Sequence, residues 1–299
     1  MNSESATFRL RSIELVLPRA GEAAAFLTDI WGLKAAESDA SRIYMRGSGG
    51  FPYLVALEEG AERFVRSTTF VCTEEELSHL EGRVAASGLA WTRCESADLG
   101  GGRGLVVELP EGELFRFLTG AVEVKPIEGK DLPVKLTHVV INSRDAEATA
   151  TVAEQVLKFR VSDRTRGMVF VRCSHSHHST AFARAGFSSL NHIAFEMQDM
   201  DAVMRGIGRL RDQGMMPSWG PGRHGPGANV FAYFIAPFGA VVEFSTAVNE
   251  VAEDYKVGAP ADWTWPPNRI DQWGMSDKDV TALVAAERNF LFRREWRRS

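Results

Sequence analysis

The stretch KLTHVVINSRDAEATATVAEQVL, residues 135–157, decides the fold. Its opening KLTHVVINS reads as a strand, and DAEATATVAEQVL places apolar residues at helical spacing. Strands follow at MVFVRC (168–173) and SLNHIAFEM (189–197). A helix runs over DMDAVMRGIGRLRDQG (199–214), and two more strands fall at VFAYFIA (230–236) and AVVEFST (240–246). The same order precedes it in the first half of the chain. There FRLRSIELVL is a strand, GEAAAFLTDIWGL a helix, and RIYM and PYLVAL strands. RFVRSTTFVC is the next strand, EEELSHLEGRVAASG a helix ending on glycine, and LVVEL and LFRFLTG the closing strands. The charged, proline-containing segment AVEVKPIEGKDLP (121–133) separates the halves. The expectation is an α+β protein of four βαβββ units paired into two domains. Residues 1–125 form the first domain, 133–250 the second, and 251–299 a tail.

The halves can be set against each other residue by residue. IELVL (13–17) matches THVVI (137–141), and GELFRFLTG (112–120) matches GAVVEFSTA (239–247). This places Glu14 opposite His138, Arg116 opposite Glu243, and Thr68 or Thr69 opposite His192. Only the second half therefore carries His, His and Glu at these points.

Composition bounds the function. The 299 residues are 44% hydrophobic and 24% charged, with a formal net charge of -5, which is ordinary for a globular protein and gives no basic face for nucleic acid. The first residues lack a cationic start followed by an apolar run, and no uninterrupted apolar stretch could span a bilayer, so a cytoplasmic protein without a membrane role is expected. The 3 cysteines, Cys72, Cys94 and Cys173, are scattered and form no CxxC pair, which points to reduced, structural thiols.

His138, His192 and Glu243 each stand among apolar strand residues, where a polar side chain needs a partner. They recur at intervals close to one βαβββ unit. Two imidazoles and one carboxylate converging from such strands make the facial triad that suits non-haem Fe(II), with Mn(II) as the alternative metal. The stretch HSHHSTAF (175–182) leaves a metal cage, a base and a polar loop open. In an extended chain His175 and His177 share one face and His178 the other, so neither face offers three ligands.

The second half resembles the catalytic domain of the type I extradiol catechol dioxygenases, in the vicinal oxygen chelate superfamily. The resemblance rests on His138 in LTHVVI, His178 in HHSTAF, His192 in LNHIAF, and the run GPGRHGPGANVFAYFIAPFGAVVEF (220–244) with His224, Tyr233 and Glu243. It implies that His138, His192 and Glu243 ligate iron, that His178 is the acid/base histidine, and that His224 and Tyr233 hydrogen-bond the ionised substrate oxygen. His175 and His177 are then bystanders on a solvated loop. The substrates implied are a catechol and dioxygen, the assembly a homo-oligomer. The keto-acid dioxygenases of the same superfamily share the triad without needing the His178, His224, Tyr233 set, and a binding protein for aromatic ligands would need no redox metal. Val139, Met168, Phe187, Trp219 and Phe238 are candidates for shaping the pocket. In the tail, Trp263, Trp265 and Trp273 either line that pocket or staple the segment to the surface, and residues 276–299 read as an amphipathic helix with a basic end.

Overall fold

The computed structural model describes residues 8–38, 41–267 and 269–292. The first half lays down β1 (Arg9–Leu17), α1 (Ala20–Phe26), β2 (Lys34–Ala35), β3 (Arg42–Arg46), β4 (Val55–Glu59), β5 (Phe64–Val71), α2 (Glu74–Ser87), β6 (Trp91–Glu95), β7 (Arg103–Glu108) and β8 (Leu114–Thr119). The second half repeats the series. It runs β9 (Leu136–Ser143), α3 (Ala146–Val152), β10 (Arg160–Arg164), β11 (Met168–Arg172), β12 (Thr180–Arg184), β13 (Ser189–Glu196), α4 (Met200–Asp212), β14 (Trp219–Arg223), β15 (Val230–Ile235) and β16 (Val241–Thr246). The tail adds α5 (Val280–Ala286) and β17 (Leu291–Phe292).

Strand pairing confirms the repeat. In space the first half runs β2, β3, β4, β1, β5, β8, β7, β6. The second runs β10, β11, β12, β9, β13, β16, β15, β14, the same order with the same parallel contacts. The fold is the α+β arrangement of the vicinal oxygen chelate proteins.

Local chemistry sets the helix ends. Thr73 and Glu76 form a reciprocal capping box on α2, and Gly88, at φ 76°, closes that helix in the left-handed region. Asp145 and Asp199 cap α3 and α4 by accepting the N–H groups of Ala148 and Ala202. Both α1 and α3 widen into a π-helical turn, at Leu27–Trp31 and Ala153–Leu157.

Those two turns deliver each half's plug into the other half's sheet. Trp31 lies flat on Phe244, with ring centroids 3.7 Å apart, and meets Phe195 and Phe234 edge-on. Phe159, just past the second turn, packs against Phe8, Phe70 and Phe117. The exchange joins the halves through one continuous apolar core. β17 adds a backbone seam, since Leu291 pairs with both Ser189 of β13 and Phe64 of β5.

The structure corrects the register between the halves. Ala194 pairs with His138 on one side and Glu243 on the other, and Thr69 pairs likewise with Ser12 and Arg116. Arg116 is thus the counterpart of Glu243, as expected, but Ser12 is the counterpart of His138. Glu14 pairs with Ser67 as Val140 pairs with His192, so Ser67 takes the place assigned to Thr68 or Thr69. An even slip leaves every side chain on its own face, so hydrophobic alternation does not reveal it.

Six strands fall outside the sequence-based reading: β2, β6, β10, β12, β14 and β17. β14 contains Gly220, Pro221 and Gly222, and it lies at a sheet edge, where a residue without an N–H is tolerated. The helix expected over 276–299 is limited to α5, after which the chain turns into β17, and residues 293–299 lie outside the described residues. Among the described residues no helix is long and apolar enough to cross a membrane.

Candidate active site

Three neighbouring strands bring the expected ligand set together. His138 on β9 and Glu243 on β16 flank Ala194 of β13, and His192, two residues earlier on β13, emerges on the same face. Backbone irregularities on β13 on either side of 192–194 bend the strand at the site. His138 Nε2 lies 3.2 Å from His192 Nε2 and 3.1 Å from Glu243 Oε2, and His192 Nε2 is 3.2 Å from that same oxygen. All three side chains are buried.

Their surroundings fix their orientation. The Nδ1–H of His192 donates to Asn191 Oδ1 at 2.6 Å, which leaves the lone pair on Nε2. Asn191 in turn donates to Asn142 at 2.8 Å. Asn229 Nδ2 donates to Glu243 Oε1 at 3.2 Å and to Ser245 Oγ at 2.9 Å, holding the carboxylate's other oxygen. Burial pushes the Glu243 carboxyl upward, but His138 and His192 outweigh that effect and hold it well below the usual carboxylate range. Burial lowers His192, with partial opposition from its bond to Glu243.

This cluster fits a divalent cation. Three electron-pair donors 3.1–3.2 Å apart can each lie about 2.0–2.2 Å from one ion. Among the described residues, these three are the group of His, Cys, Asp and Glu side chains whose donor atoms converge in this way.

The second set surrounds the same point. The His178 ring lies 4.3 Å from that of His138, with Phe170 edge-on behind it at 5.2 Å. Tyr233 is opposite Glu243 across β15 and β16, and its hydroxyl is 3.0 Å from His224 Nε2. Trp219 stacks on Tyr233, and Phe231 stacks on His224. Burial, followed by the neighbouring imidazoles His138 and His177, holds His178 well below its ordinary 6.5, so it is neutral at physiological pH. His224 is lowered to about 3 by burial, and burial beside Glu243 raises Tyr233.

All six residues border or underlie one cavity of about 250 Å³, with His138, His178, His192, His224 and Tyr233 in its wall. Met168 and Trp219 line it as expected, whereas Val139 and Phe238 are core residues and Phe187 lies beneath Arg288. Val140, the next residue along β9, faces the cavity instead. The tail supplies Trp265, Lys278, Leu283 and Glu287, which the sequence reading did not single out as a set. Trp265 is therefore pocket wall, while Trp273 packs under the Arg223 guanidinium.

One assignment is overturned. His175 is exposed, but His177 is fully buried, with Nε2 2.5 Å from Asp163 Oδ2 and Nδ1 3.0 Å from His178 Nδ1. The segment 175–178 is not part of a strand, so adjacent side chains need not alternate and both rings turn inward.

Residues 135–244, the stretch that gathers His138, His192 and Glu243, match the model of the Glyoxalase/Bleomycin resistance protein/Dioxygenase superfamily. Among similar proteins is metapyrocatechase 2 of Cupriavidus necator, 24% identical over 247 residues, which span 72% of this chain and 74% of the relative. A Mn(II)-bound glyoxalase from Novosphingobium aromaticivorans is 29% identical, with 93% of this chain and 94% of that one covered at a TM-score of 0.84. Homoprotocatechuate 2,3-dioxygenase from Brevibacterium fuscum shares the fold at a TM-score of 0.83, with 19% identity and 96% and 95% coverage.

Proposed function

We propose that the chain is an extradiol catechol dioxygenase: it breaks the ring carbon–carbon bond beside a diol, and both atoms of O2 enter the ring-opened product. The observation that carries this reading is the grouping of a three-donor cation site, His178, and the His224–Tyr233 pair around one aromatic-walled cavity. His138, His192 and Glu243 would hold Fe(II), with Mn(II) as the alternative. When bound, such an ion supplies positive charge for a chelating diolate and a route for electrons between substrate and oxygen.

The chain's own residues account for the rest. Phe170, Met168, Trp219 and Val140 give the ring a largely apolar bed and exclude water. His178, held neutral by burial, accepts a phenolic proton and returns one to the product. Tyr233 and His224 hydrogen-bond the ionised oxygen and hold it in orientation. A homo-oligomer, a cytoplasmic location and the division into domains 1–125 and 133–250 with a tail belong to the same proposal.

The test is oxygen uptake and yellow-product formation by anaerobically purified, iron-loaded protein, over catechol, 3- and 4-substituted catechols, dihydroxybiphenyl and homoprotocatechuate. Uptake stoichiometric with ring opening, together with a kcat lowered about 100- to 10,000-fold in His178→Ala at unchanged iron content, supports the reading. Bound metal with no catechol-dependent uptake overturns it. The likeness to a Mn(II)-bound glyoxalase favours one second reading, a glyoxalase-type reaction without oxygen, and the same uptake assay separates the two.

A further inference from the structure

Behind His178 runs a chain of buried polar groups that the reaction as described does not use. His177 Nε2 sits 2.5 Å from Asp163 Oδ2, and His177 Nδ1 sits 3.0 Å from His178 Nδ1. Asp163 and His177 are both 0% exposed, and His178 is 2% exposed. The tail clamps the far end: the Gly258 N–H donates to Asp163 Oδ1 at 2.7 Å, and the Tyr255 hydroxyl donates to Oδ2 at 3.2 Å. The packing leaves no slack. A Cβ at Gly227 would stand 3.0 Å from His177 Nδ1 and 3.1 Å from His178 Cε1, and one at Gly258 would stand 2.5 Å from Asp163 Oδ1.

The proton count along this chain has a single solution for neutral rings. An ionised carboxylate only accepts, so His177 must present Nε2–H to Asp163. Its Nδ1 is then bare, and the nitrogen facing it, His178 Nδ1, must be the donor. The lone pair of His178 is thereby placed on Nε2, on a ring that borders the cavity.

We propose that Asp163 and His177 are positioning residues that lock His178 in its Nδ1–H tautomer and fix its ring, so that Nε2 is free to take the substrate's proton. The proposal rests on the reading of His178 as the base. It extends the active site to the tail, through Tyr255 and Gly258.

Asp163→Asn tests it with little change of shape. The Gly258 N–H requires an oxygen at its end of the amide, so the amide NH2 faces His177, reverses that ring's tautomer and forces the Nε2–H form on His178. The expected result is a kcat lowered about 100- to 10,000-fold at unchanged catechol KM and iron content, as when a triad carboxylate becomes an amide. Asp163→Asn combined with His178→Ala should be no slower than His178→Ala alone. His177→Asn, whose side-chain oxygen replaces the accepting Nδ1, should retain most of the activity. Histidine ¹⁵N spectra of the zinc(II)-loaded protein read the tautomers directly. His178 should be Nδ1–H in the parent and Nε2–H in Asp163→Asn. An Nε2–H tautomer of His178 in the parent, or an Asp163→Asn kcat within threefold of the parent, overturns the proposal. If His178→Ala keeps full activity, it is the base reading that fails, and the spectra still decide the tautomer lock.

Discussion

The two halves share one strand order but balance buried charge in opposite ways. In the second half, His138, His192 and Glu243 turn their electron pairs toward one point. In the first, the matching positions are Ser12, Ser67 and Arg116, and Tyr53 stands three residues ahead of Ala56 as His178 stands three ahead of Ala181. Glu14 there accepts from Ser12, Ser67, Thr69 and Tyr53 at 2.6–3.2 Å and lies 3.1 Å from Arg116. Arg116 also pairs with Asp98 at 2.6 Å. The first half thus contains its own cation, whereas the second offers a carboxylate and two imidazoles that call for one from outside. The same scaffold therefore yields a structural ion-pair network or a metal site, according to which charge the strands carry.

The comparison can be broken in four ways. The largest effect is expected for Glu243→Ala, which should remove bound metal and ring opening to background, read by metal analysis and oxygen uptake; full metal retention would end the triad assignment. Next, Arg116→Met should strand buried Glu14 without its cation, leave Asp98 to Arg42 alone, and cost about 3–5 kcal/mol in denaturant unfolding. Metal per folded chain should be unchanged, which separates the two centres. Asn191→Ala, which deprives His192 Nδ1–H of its acceptor, should weaken metal affinity about 10- to 100-fold in a competition titration.

The smallest effect is the pH dependence of metal-free protein. His224 titrates at about 3 in the folded chain because it is buried, against an ordinary 6.5. The unfolded chain therefore binds more protons between those values, and stability present above pH 6.5 is lost as pH falls toward 3. His178 and His192 are shifted in the same direction. His224→Phe should flatten the stability–pH curve in that window; an unchanged slope would show that the ring is not the buried neutral group described.

Much of this was legible because rare residue types stand out. A single histidine in the middle of LTHVVI or LNHIAF reads as an ordinary hydrogen-bonded core residue, but two histidines and a glutamate at matching strand positions together read as a site. Glu14 looked equivalent to His138 because strand alternation repeats every two residues, and only the pairing to Thr69 and Ser67 reveals the slip. His177 is expected in water because polar clusters mostly stay solvated, whereas Asp163, from a distant strand, gives its ring a buried partner. Asn191, Asn229 and Asp163 carry no sequence signal of their own, since their roles depend on partners from distant elements. The tail's part in the pocket was one of two open readings, because tryptophans among prolines indicate packing without indicating against what.

The seam made by Leu291 has a practical corollary. Glu287, in the cavity wall, precedes by four residues the backbone that ties β5 to β13. The seam therefore lies a few residues along the chain from the cavity wall, and a fluorescent label placed there is expected to report occupancy from outside the pocket.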